Sequence, residues 1–161
     1  MAVSPPVRAY YTKHIFLQSG RDKVPKNFRP LEGPLTGKSS VEGCAGGGKN
    51  ILEVFVSTRD ERVADVRASC GLCNPAMYAA ADVLCEWARG KGVRDVMGAD
   101  CFSPAALDPF FAALGCADRP DDAREKFQYG LFAIQNAIRA ACGQPILPAP
   151  KFPPPSDREP E

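Results

Sequence analysis

The sequence predicts an α+β fold, in which a small antiparallel sheet packs against a helical C-terminal half. Two neighbouring segments, 51–57 and 62–68, have the composition of strands, and helix start signals with helical periodicity dominate from residue 74 onward. The chain has 161 residues, of which 45% are hydrophobic and 24% charged. This length and composition predict one folded domain with a buried core.

The first half of the chain contains one predicted helix and the two strands. Residues 7–18 have apolar and aromatic side chains at helical spacing, and Gly20 ends that pattern. Residues 20–50 are rich in Gly, Pro, Lys and Ser, so we expect an irregular segment there. Residues 58–61 form a turn between the strands 51–57 and 62–68, which predicts a β-hairpin.

Four helical segments are predicted in the second half. Asn74 followed by Pro75 is a typical helix start, and that helix continues to Gly90. Ser-Pro at 103–104 and Asp-Pro at 108–109 repeat the signal for one or two short helices that end at Gly115. The last helix follows Pro120, and its apolar stripe comprises Phe127, Leu131, Ile134, Ile138 and Ala141.

The composition also predicts the domain organisation and the surroundings of the protein. Seven prolines fall in the nineteen residues 143–161, so we expect one folded domain over 1–142 and a disordered Pro-rich tail over 143–161, which is a solvated linker rather than a ligand for an aromatic groove. The net charge of +1 indicates no nucleic-acid partner, and the apolar runs are too short to indicate a membrane partner. The first residues lack the pattern of a secretory signal, and seven cysteines are an odd number, so we expect a cytoplasmic protein.

Three cysteines form the candidate site. Cys70 and Cys73 lie at a strand-to-helix junction, where a helix N-terminus favours the thiolate form, and Cys44 lies on a glycine-rich loop before the first strand. Because antiparallel strands bring the entrance of one beside the exit of the next, we expect both loops at one end of the sheet. Two or three thiolates there suit Zn²⁺ or a small iron–sulfur cluster.

Two other interpretations of these motifs have less support in the sequence. Residues 43–50 approach the phosphate-binding pattern GxxxxGK[ST], but a strand follows Lys49 instead of a helix, and Asn50 replaces the hydroxyl that binds magnesium. The Cys70-x-x-Cys73 dithiol also occurs in thioredoxins, but there it follows a parallel strand rather than a hairpin.

The remaining cysteines and the single histidine have simpler interpretations. We expect Cys85 and Cys142 to be small buried residues within helices, and Cys101 and Cys116 to pack at helix boundaries while staying open as further ligands. His14 is expected on the surface and Trp87 in the core.

The arrangement resembles the IscU/NifU-type iron–sulfur cluster scaffold over roughly residues 8–142. The likeness is carried by the loop 43–48 with the strand after it, by the segment 65–73, by the helix ending in Glu86-Trp87-x-x-Gly90-Lys91, and by residues 131–141. The family's first cysteine corresponds to Cys44 and its second to Cys73. Its third would fall near Gly130, with Tyr129 before it, and neither residue binds iron in the ordinary way.

The resemblance implies a non-enzymatic scaffold that accepts sulfur and iron on Cys44 and Cys70/Cys73. It further implies a [2Fe–2S] cluster as cargo, a cysteine desulfurase as sulfur donor, and an apo iron–sulfur protein as recipient. Three alternatives stay open: a zinc-binding sulfur-transfer protein of the same fold, an adaptor that has lost the cluster site, and a dithiol redox protein.

Overall fold

A computed structural model describes residues 4–16, 24–42, 51–71, 74–115 and 121–148. The strands are β1 (Gly37–Glu42), β2 (Ile51–Arg59) and β3 (Arg62–Gly71). The α-helices are α1 (Pro5–Tyr11), α2 (Pro75–Ala88), α3 (Val93–Met97), α4 (Asp108–Leu114) and α5 (Asp121–Ala141). A π-helical turn (Thr12–Phe16) extends α1, and 3₁₀ turns cover Lys26–Phe28 and Pro104–Leu107.

The sheet is antiparallel, with strand order β1-β2-β3, and this confirms the predicted hairpin. Strand β1 was not predicted, because its residues Gly, Lys and Ser resemble a loop. It is a strand because α5 packs against it: the Ser39 hydroxyl donates a 2.5 Å hydrogen bond to the Ala133 carbonyl, and Gly37 lies against the backbone of α5. The expectation of an irregular segment over 20–50 is therefore wrong for residues 37–42.

The core lies between one face of the sheet and the helices. Leu52, Val54 and Val56 alternate along β2 toward α5 and are at most 1% exposed. From the opposite layer, α5 buries four of its five predicted stripe residues completely, and Ala141 packs at the edge of the core. An antiparallel sheet under a helical C-terminal half is the predicted α+β fold.

Helix α2 begins as the sequence predicts. The Asn74 side chain accepts a 2.9 Å hydrogen bond from the Met77 N–H, and Pro75 occupies the first helical position. Its middle residues are buried against the sheet and α5. Trp87, expected in the core, is only partly buried; its ring contacts Phe110 edge-on at 5.0 Å.

A buried ionic network lies on the opposite face of the sheet. The Asp65 carboxylate accepts hydrogen bonds from the Nε atoms of Arg67 (2.9 Å) and Arg89 (2.8 Å) and from the Glu32 N–H (2.9 Å). The side chains of Asp65 and Arg67 are each 4% exposed. Burial alone would raise the pKa of Asp65, but these hydrogen bonds outweigh it and hold that pKa below its ordinary value.

The same network attaches the N-terminal residues to α2. The Asn27 amide donates to Asp82 at 2.7 Å, and the Tyr10 hydroxyl donates to the other oxygen of Asp82 at 2.6 Å. Arg89 also donates to the Asn27 side-chain oxygen. Burial and the bond to Asp82 raise the pKa of Tyr10 above its ordinary value, so this hydroxyl stays a donor.

The cysteines outside the candidate site divide into two environments. Cys85 and Cys101 are buried in the core, 1% and 3% exposed, as predicted. Cys142 is exposed, because α5 ends at Ala141 and Gly143 turns the chain with a φ of +73°; its predicted burial is wrong. Cys116 lies outside the described residues, and His14 is exposed as expected, with its ring stacked on Tyr10.

Among the helices that the structure describes, each is too short or too polar to cross a bilayer.

Candidate functional site

The strand register defines the geometry of the candidate site. Glu42 pairs with Ile51 across β1 and β2, and Ile51 pairs with Gly71 across β2 and β3. The loop 43–50 therefore leaves and re-enters the sheet at the same end at which the chain leaves β3. We call this edge the cysteine end, since Cys70 pairs there with Leu52.

The three predicted ligands relate to this edge as follows. Cys70 lies within the described residues and is the last residue but one of β3. Cys44 and Cys73 lie outside the described residues, two positions beyond Glu42 and two beyond Gly71. Two residues span at most about 7 Å, so the described backbone is compatible with the predicted convergence. The positions of these two sulfur atoms remain predictions.

Cys70 is not a free thiol in this structure. It is disulfide-bonded, and its partner lies outside the described residues. Its carbonyl oxygen accepts a 3.1 Å hydrogen bond from the Tyr78 hydroxyl on α2, which ties the end of β3 to the first turns of that helix. A disulfide cannot bind a metal through thiolate, so this bond must be reduced before Cys70 can act as a ligand.

The position that would hold a third family cysteine belongs to the core. Gly130 is buried in α5, and a Cβ atom there would lie 2.6 Å from Leu84 Cδ1 and 3.9 Å from Leu52 Cδ2. Leu52 is the strand partner of Cys70, so this position lies beneath the cysteine end. Close packing, rather than ligation, explains the glycine.

An aromatic band borders the cysteine end and was missed by the sequence reasoning. The ring of Tyr78 lies 6.0 Å from that of Tyr11 and 5.3 Å from that of Phe28, and Tyr11 contacts Phe16 at 6.5 Å. Phe16 is 57% exposed. The available signal was the density of aromatic residues before residue 30, but the contact with Tyr78 is long-range and has no local pattern.

Other potential ligands do not gather in the part of the chain that the structure describes. Within it, no three His, Cys, Asp or Glu side chains are placed to share a metal ion. Cys101 packs in the core, and burial raises the pKa of its thiol, which makes it a poor ligand. Cys142 lines a cleft of about 290 Å³ beside the hairpin turn, at the opposite end of β2 and β3 from Cys70.

Comparison with known proteins finds similarity in the fold rather than in the sequence. The crystal structure of a nitrogen-fixing NifU-like protein (N-terminal) from Brucella abortus superposes with a TM-score of 0.54. The match covers 87% of this chain and 99% of that one. This chain has a NifU-like fold.

The likeness lies in the architecture alone. The two sequences are 15% identical over the match, and no protein-family model and no curated protein matches this sequence. The NifU-like fold thus agrees with the fold that the sequence resemblance implied.

Proposed function

We propose that this chain is a scaffold or carrier for iron–sulfur assembly, which accepts sulfur and iron on Cys44 and Cys70/Cys73. The observation that carries the proposal is the strand register within the NifU-like fold. Because Glu42, Ile51 and Gly71 share one edge, the two cysteine-bearing loops start from neighbouring backbone. Thiolates are the usual ligands of small iron–sulfur clusters.

The donor set suits a cluster that is cargo rather than a permanent group. Clusters of the [2Fe–2S] type are held by four cysteines in stable sites, whereas the proposed set has three, and Gly130 supplies none. An incomplete set leaves coordination positions for a partner. We infer that a cysteine desulfurase supplies the sulfur and that an apo iron–sulfur protein receives the product.

Reconstitution tests this proposal. The reduced protein, incubated anaerobically with iron and sulfide, is expected to gain visible absorbance and to retain iron after desalting. Cys44→Ser and Cys73→Ser should each lose most of the retained iron, while Cys142→Ser is the matched control because that thiol is exposed at the other end of the sheet. A colourless wild-type protein without iron would refute the cluster.

Stoichiometric zinc in the purified protein would favour the zinc-binding sulfur-transfer protein instead.

A degenerate adaptor is the second candidate, and the packing of Gly130 favours it. A position that would complete the ligand set is filled by the core instead. An adaptor predicts that Cys44→Ala and Cys73→Ala leave binding to partner proteins and growth phenotypes unchanged. A strong loss in either variant would eliminate the adaptor.

A further inference from the structure

An apolar groove lies on the sheet face that carries the ionic network. It has a volume of about 390 Å³ and runs between the segment 28–35 and strands β2 and β3. Phe28, Leu31, Leu35 and Phe55 provide its apolar walls, and Ser69, the neighbour of Cys70, lines it as well. Leu35 is 53% exposed. An exposed leucine in a groove that two aromatic residues also line is a surface that binding would stabilise.

The charged side chain among the residues that line this groove is basic. Arg29 is exposed and lines the groove. Glu32 lies 3.6 Å from the Arg67 guanidinium, which offsets its charge, and Lys38 and Glu53 on the same sheet face balance one another. The groove therefore favours an occupant with apolar and acidic residues.

The described chain ends beside α5, on the other side of the sheet from this groove. The Asn136 side chain donates to the Leu147 carbonyl at 2.8 Å and accepts from the Leu147 N–H at 3.1 Å, so residues after α5 run back along that helix. Gly37 packs directly on Ala137 of the same helix, and Leu35 precedes Gly37 by two residues. Since β1 is an edge strand of the sheet, a tail that starts beside α5 has a path around β1 to the groove.

Residues 149–161 have the composition and the reach to fill it. They contain Lys151, Phe152 and prolines 153–155, followed by three acidic residues and one arginine at 157–161. Thirteen residues at about 3.1 Å each extend about 40 Å. Proline-rich segments bind aromatic-lined grooves with a small loss of entropy, because their backbone is already extended.

We propose that residues 149–161 dock in this groove of the same chain. Phe152 and the prolines lie against Phe28 and Phe55, and the acidic end faces Arg29. This docking does not depend on the function proposed above.

A labelled synthetic peptide of residues 149–161 tests the docking by fluorescence anisotropy with full-length proteins. Phe152→Ser should release the tail, so that this variant binds the added peptide. The wild-type chain should bind it at least about tenfold more weakly, because a tethered tail competes at an effective concentration near the millimolar range.

Adding Leu35→Ser to the released variant should abolish binding. Phe102→Ser is the matched control, since Phe102 is 55% exposed and does not line the groove.

Three outcomes would overturn the proposal. The released variant could fail to bind the peptide, or the wild-type chain could bind it equally well. The wild-type chain could also form a dimer that Leu35→Ser dissociates, which would place the tail in a second copy.

Discussion

At the scale of single residues, Asp65 is the centre of the buried ionic network. Its carboxylate serves two guanidinium groups, those of Arg67 and Arg89. Asp65→Asn removes the negative charge, so that both guanidinium groups stay charged without their counter-ion. Breaking a buried ion pair from one side costs about 3 kcal/mol or more. We expect the free energy of unfolding, measured with urea at neutral pH, to fall by about 3 kcal/mol.

The matched control is Glu32→Gln. Its carboxylate also approaches Arg67, but it is 83% exposed, so the loss should be below about 1 kcal/mol. Equal losses in both variants would show that burial does not strengthen the network.

Asp65 also predicts how stability depends on pH. Its pKa in the folded protein is below the ordinary value of 3.8, so its stabilisation is complete above about pH 4 and disappears as the pH falls through the lowered pKa. Urea unfolding of the wild type between about pH 5 and pH 2 should show this loss, and Asp65→Asn should lose less stability over the same range. Identical pH profiles would assign the acid sensitivity to other carboxylates.

At the scale of secondary-structure elements, the turn between β2 and β3 stores strain. Arg59 pairs with Arg62, so two residues close the hairpin, and both have positive φ: Asp60 at 54° and Glu61 at 61°. Left-handed backbone costs a non-glycine residue about 1–2 kcal/mol, while glycine adopts it freely.

Glu61→Gly should therefore raise the free energy of unfolding by about 0.5–1 kcal/mol, measured by thermal or urea unfolding. Arg59→Gly, placed in the adjoining strand, should lower it by a similar amount. A loss in Glu61→Gly would mean that its side chain contributes more than the strain costs.

The contact between β1 and α5 depends on Gly37. A Cβ atom there would overlap the Ala137 carbonyl oxygen and lie 2.5 Å from the Ala141 nitrogen. Backbone cannot move aside without separating the strand from the helix, so Gly37→Ala should destabilise the protein by about 3 kcal/mol.

Gly130→Ala is the matched control for Gly37→Ala. Its nearest neighbour is the terminal carbon of Leu84, which can rotate, and alanine improves helix propensity by about 1 kcal/mol. The expected loss is below about 1 kcal/mol in urea unfolding. A larger loss at Gly130 than at Gly37 would reverse this ranking of the two interfaces.

At the scale of the whole molecule, local signals predicted what local interactions determine. Asn74 and Pro75 marked the start of α2, and Gly115 marked the end of α4, because caps act within one turn. Strand β1 and the short helix α3 were missed. The strand exists through contacts with a helix nearly a hundred residues later, and such contacts leave no periodic pattern in the sequence.

The candidate site, like the fold, was predicted only in part from the sequence. Antiparallel pairing predicted that the entrance of β2 and the exit of β3 share one edge, and the pairing of Ile51 with Gly71 confirms it. The sequence indicated that α5 ends near residue 142, but it did not indicate that Cys142 would face solvent at that end. The ligation by Cys44, Cys70 and Cys73 remains a prediction.

A single core implies a single unfolding transition, which two cysteines can report. Cys85 is buried in α2, the helix that packs against β3 and α5, and burial raises the pKa of its thiol to about 12. A neutral thiol reagent should modify Cys142 at the rate of an unstructured thiol and modify Cys85 at least about a thousandfold more slowly. In urea, the protection of Cys85 should fall in parallel with the fluorescence change of Trp87, since exposing this thiol requires the sheet and both helices to separate. If Cys85 reacts with little urea dependence while Trp87 still reports folded protein, α2 opens by itself and the core is not one cooperative unit.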